Sequence, residues 1–92
     1  MSETKQLLDR DGNVKATVVI KERLAVLGES YEGYTKELNL VQWNEGAEKY
    51  DIREWSPNHN VVHKGVLLTA EELDALRNYF LSEAGITVKK AS

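Results

Sequence analysis

Lys49-Tyr50-Asp51-Ile52-Arg53-Glu54-Trp55 alternates between two kinds of side chain. A period of two is that of a β-strand, in which successive residues point to opposite faces. Tyr50 and Ile52 share one face. Lys49, Asp51, Arg53 and Trp55 share the other. A cation beside a flat ring suits a charged ligand with π-faces, and single-stranded nucleic acid has that chemistry. The plainer alternative is a twisted strand in which Trp55 covers the rim of the core and Arg53 pairs with Asp51.

Working outward, Tyr34 to Asn44 reads as the strand before it. Leu38 and Leu40 take the inward parity; Thr35, Asn39, Val41 and Trp43 take the other. Asn44-Glu45-Gly46 is a turn, so the two strands form a hairpin. Cross-strand pairing then brings Trp43 and Val41 towards Lys49, Asp51 and Arg53. Earlier still, Val14 to Gly28 is rich in β-branched residues and reads as a long strand, bent or bulged at Lys21-Glu22-Arg23, or as two strands in a hairpin. The first 13 residues read as a tail or a short extra strand turning at Asp11-Gly12-Asn13.

Beyond the central stretch, Ser56-Pro57-Asn58-His59-Asn60 ends the strand, since Pro57 cannot donate to a ladder and asparagines favour turns. Val61 to Leu68 reads as a fourth strand, with Gly65 marking a bulge or a close backbone approach. Thr69-Ala70-Glu71-Glu72 is a capping box that opens a helix. Leu73, Leu76, Phe80 and Ala84 form its apolar stripe, widened by Tyr79 and Leu81, and Gly85 is the expected stop. Residues 86–92 read as a basic tail and 14–85 as the single domain. The expected class is α+β: a four-stranded antiparallel sheet followed by one C-terminal helix. One helix covers one face, which leaves the face with Trp43 and Trp55 open.

At 92 residues, with no cysteine and a net charge of −3, the chain excludes disulfide frameworks, thiolate zinc sites and cysteine nucleophiles. A chain this small gains burial by dimerising. No apolar run is long enough to span a membrane and the N-terminus is unlike a signal peptide, so a cytoplasmic location is expected. His59 and His63 are four apart but fall on a loop and a strand start with no evident third ligand, so no metal is expected. Glu71-Glu72 and Glu45 with Glu48 read as a helix start and a hairpin tip rather than acid–base pairs. No serine sits in a nucleophile turn and no glycine-rich phosphate loop is present, so neither an enzyme nor a cofactor is expected.

Asp51-Ile52-Arg53-Glu54-Trp55, a short loop, then Lys64-Gly65-Val66-Leu67-Leu68-Thr69 before a glutamate-rich helix resembles the positive cofactor four family of transcriptional coactivators. Thr35-Lys36-Glu37-Leu38-Asn39-Leu40-Val41-Gln42-Trp43 resembles the second strand of its short bacterial members. The resemblance spans about Val18 to Phe80. It implies a curved four-stranded sheet, a homodimer formed partly through the helix, and binding of single-stranded DNA along the concave sheet faces. In those terms Arg53 matches a phosphate-contacting arginine, and Trp43 and Trp55 match aromatics on which bases stack. Lys64 matches the lysine before the glycine, and Gly65 permits close backbone approach. Lys49 and Lys36 are the further basic candidates, and Leu73, Leu76, Tyr79 and Phe80 the dimer face. The hairpin departs from the basic family pattern at Asn44, Glu45, Ala47 and Glu48. Transcription regulation, replication or repair is the expected setting. A protein-interaction module or an RNA-binding protein using the same tryptophan-bearing face is the alternative.

Overall fold

Five strands and one helix follow one another along the chain: β1 (Glu3–Leu8), β2 (Val14–Glu29), β3 (Thr35–Trp43), β4 (Glu48–Trp55), β5 (Val66–Leu68) and α1 (Ala70–Leu81). The computed structural model describes residues 2–30 and 32–82. The strands form one antiparallel sheet in sequence order. The α+β class is as expected, but the sheet has five strands rather than four because residues 3–8 join it. The turn into β2 is built by Asp9, whose side chain accepts from the N–H groups of Asp11 and Asn13 at 2.9 Å each. Gly12 adopts φ +86°, a left-handed conformation that glycine tolerates without a Cβ penalty.

β2 is long, as its Val, Ile and Thr content predicts, and it does not run straight. Its register against β3 shifts three times, between Ile20 and Glu22, Arg23 and Ala25, and Val26 and Gly28. Each shift adds bend and twist, so the sheet curls. The β3–β4 turn holds Asn44 and Glu45 at φ 46° and 64°, the paired left-handed residues of a tight hairpin. Gly46 N–H donates to the Trp43 carbonyl at 2.8 Å. Asn44 ties the turn to β2: its N–H donates to the Thr17 carbonyl and its Oδ1 accepts from Thr17 N–H.

The core lies on the face that the sequence left open. Leu7, Val18, Ile20, Val41 and Trp55 are buried there. They come from four strands, and each contributes about 1.5–3 kcal/mol by leaving water. Leu38, Leu40, Tyr50 and Ile52, the expected inward set, are only half-buried. The curl explains the inversion. A bent β2 wraps β1 and the 56–63 loop around that face, while α1 touches only β4 and β5 and has no buried residue.

β5 is shorter than expected. Trp55 still bridges Val62, and Ile52 pairs with Val66. Arg53 and Glu54 therefore lie opposite the longer run His63, Lys64 and Gly65, and the ladder breaks at this extra residue. The capping box forms as read: Glu72 N–H donates to Thr69 Oγ1 at 3.1 Å and Thr69 N–H donates to Glu72 Oε1 at 2.8 Å. The helix ends at Leu81, with Ser82 extended, earlier than the Gly85 stop. Ala84, Gly85 and the basic tail lie outside the described residues.

Candidate nucleic-acid interface

The β3–β4 register pairs Val41 with Lys49, Asn39 with Asp51, Glu37 with Arg53 and Thr35 with Trp55. Directly paired residues share a face, so one surface of the sheet carries all of these side chains and Trp43. The expected association of Trp43 with Asp51 and Arg53 is present. Trp43 Nε1–H donates to Asp51 Oδ2 at 3.2 Å, and the Arg53 guanidinium carbon lies 4.8 Å from the centroid of the Trp43 ring. Asp51 is fully buried and its carboxylate grips Arg53 through Nε and Nη2. Arg53 is thus oriented by a fixed counter-charge and stacked on a ring, a preorganised cation–π pair.

A second polar cluster occupies the other end of this face. Glu37 is buried and accepts from Arg23 Nη1 at 3.0 Å, Asn39 Nδ2 at 3.1 Å and the Thr35 hydroxyl. His59 Nε2 lies 2.9 Å from Glu37 Oε2, which can only accept, and 3.2 Å from Arg23 Nη1, which can only donate, so the imidazole tautomer selects one of the two contacts. Burial alone would raise the Glu37 pKa, but hydrogen bonds from Thr35, Asn39 and His59 outweigh it and hold the group below its ordinary value. Arg23 also reaches Glu3 on β1 at 2.7 Å, and that hydrogen bond lowers the Glu3 pKa.

The sequence-predicted residues divide between locations. Trp43, Lys49 and Arg53 come together on one face, and the Lys49 ammonium has no partner among the described residues. Lys64 and Gly65 lie at the neighbouring edge. Gly65 presses against the Ile52 carbonyl and the Arg53 side chain so closely that a Cβ would collide with both. Its small size therefore serves packing onto Arg53. Trp55 is a correction. It is fully buried in the core, with His59 packed at 5.5 Å between ring centroids. No face of it is open to a base, and the plainer reading of this residue is the one realised. Its Nε1 has no hydrogen-bond partner among the described residues. Lys36 pairs with Glu54 and lies on the opposite face, away from Arg53. Leu73, Leu76, Tyr79 and Phe80 lie on α1. Leu76, Tyr79 and Phe80 are 41%, 52% and 45% exposed, and Leu73 is half-buried over the sheet.

Sequence reasoning missed three features. The sequence reading gives Glu37 no role, although its shared parity with Arg53 is a usable signal. His59 reads as a loop histidine, and nothing local indicates that the turn aims it at Glu37. Tyr34 and His63 stack at 4.8 Å with planes 12° apart, and His63 Nδ1 donates to Glu54 at 3.0 Å. The two histidines thus serve separate clusters. Among the described residues no group of three His, Asp or Glu side chains is placed to hold a metal, and no helix is long and apolar enough to cross a membrane.

No family model matches the chain. A protein of Treponema pallidum (strain Nichols), described as uncharacterized, is 48% identical over 52 residues, which is 56% of this chain and 61% of that protein. The chain therefore covers about three-fifths of that relative, and the relative's description assigns no activity.

Proposed function

We propose that the protein binds single-stranded DNA with little sequence specificity, in the manner of the positive cofactor four family it resembles. The supporting observation is the Trp43–Arg53 pair with the unpartnered Lys49 beside it on one face. Every base has a π-face, so stacking on Trp43 is sequence-tolerant. Lys49, Arg53 and Lys64 supply charge for phosphates and hence a salt-dependent affinity. A duplex hides its base faces and cannot use the ring. The protein acts as a cytoplasmic homodimer in transcription regulation, replication or repair. The second copy covers the apolar face of α1 at Leu76, Tyr79 and Phe80, with Leu73 behind it. The role is binding rather than catalysis.

One observation favours a second reading, a protein-interaction module. Asp51, Glu37 and Glu3 pair with Arg53 and Arg23, so both arginines of this face are already engaged by acids. Fluorescence anisotropy with labelled oligothymidine, oligouridine and a duplex of equal length separates the readings. Tight oligothymidine binding that weakens steeply as salt rises supports the first. Equal or tighter duplex binding, or no oligonucleotide binding at low salt, overturns it in favour of protein docking. Preferred oligouridine binding would make RNA the ligand.

A further inference from the structure

We infer that β1 extends the single-strand-binding surface and that Lys5 is a phosphate contact on it; this rests on Trp43 and Lys49 being the binding site. Lys5 pairs with Val18, and Val18 pairs with Trp43. The three residues form one row across three strands, with side chains on the same face. Two interstrand spacings put the Lys5 and Trp43 backbones roughly 10 Å apart. The four-carbon lysine stem spans much of that gap. A base stacked on Trp43 thus carries its phosphodiester into reach of either Lys49, on the β4 side, or Lys5, on the β1 side.

β1 is held firmly enough to act as a wall. Leu7, two residues after Lys5 on the same face, is only 2% exposed in the core. Glu3, two residues before it, is fixed to Arg23 at 2.7 Å. Lys5 lies between these anchors, half-buried, with no hydrogen bond or salt bridge among the described residues. Its charge is felt by Glu3, whose carboxylate is held mainly by Arg23. The available lysines therefore lie on both sides of the partly exposed ring, whereas a four-stranded sheet would offer only the β4 side.

The test is the slope of log affinity against log salt for oligothymidine, measured on the full chain. Loss of one neutralised phosphate on a single strand lowers the slope magnitude by about 0.7. Lys5→Ala should show that loss and Lys5→Arg should restore it. Arg10→Ala, which removes an equal charge from the exposed turn five residues further along, roughly 17 Å away, should leave the slope unchanged. If Lys5→Ala keeps the wild-type slope while Trp43→Ala loses affinity, the inference is overturned and the site stands. Equal effects from Lys5→Ala and Arg10→Ala would also overturn it, as a net-charge effect. Failure of the wild-type protein to bind oligothymidine at low salt removes the site and the inference together.

Discussion

Asp51 holds Arg53 with both carboxylate oxygens: Nε donates at 2.9 and 2.8 Å and Nη2 lies at 2.7 Å. The acid is fully buried and the arginine side chain is 14% exposed. Such a pair gives little net stability over an apolar equivalent, but removing one member strands a desolvated charge. What it supplies here is orientation. It keeps the guanidinium over Trp43 at the edge of the open part of the face.

Asp51→Ala should therefore destabilise the fold by about 3–5 kcal/mol in urea titration. Replacing Arg53 with Met in the same chain should recover part of that loss. Additive effects of the two substitutions would mean that the pair is not coupled.

The two tryptophans should behave oppositely. Trp55→Ala empties a core position and should cost about 3–5 kcal/mol of stability. Trp43→Ala should leave the melting temperature much closer to wild type but weaken oligothymidine binding by about 1–3 kcal/mol per stacked base. Loss of binding from Trp55→Ala in a chain that still folds would contradict its structural assignment.

Gly65→Ala drives a methyl group into the Ile52 carbonyl and the Arg53 stem. The expected cost is about 1–3 kcal/mol, read as a lowered urea midpoint. An unchanged midpoint would mean that β5 can move away from β4 without penalty.

Glu37 makes stability acid-sensitive. Its folded pKa lies below the ordinary 4.5, so in the window beneath 4.5 the unfolded chain binds the proton and the folded chain does not. The contribution is complete above that window and is lost as pH falls through the folded value. The stability gap between wild type and Glu37→Gln should be widest near neutral pH and should shrink on acidification. A gap that widens in acid would reverse the sign and refute the assignment.

The exposed face of α1 tests self-association. Leu76→Glu with Phe80→Glu should halve the solution mass, measured by light scattering. A wild-type protein that already has the mass of one chain would refute the proposed homodimer.

The sequence by itself determined the strands' alternation, the Asn44-Glu45-Gly46 turn, the bend in β2, the capping box at Thr69 and the antiparallel order. These are local: each depends on backbone preference and side-chain spacing within a few residues. It also determined that Trp43, Lys49 and Arg53 share a face, because parity and a tight turn fix the register of a hairpin. Only the tertiary structure decided which face is inside. Both parities of β3 and β4 carry apolar residues, so alternation alone could not rank them. The choice was made by segments outside the hairpin: Leu7 on β1 and the turn presenting His59 close over Trp55, and three register shifts in β2 supply the curvature that lets them. Burial depends on what covers a residue, and here the covering groups lie outside the β3–β4 hairpin, Leu7 far away in sequence and His59 in the turn that follows Trp55. For that reason Trp55, which reads as a base platform beside Arg53, is core, and Lys5, which reads as part of a tail or a short extra strand, stands in one row with Trp43.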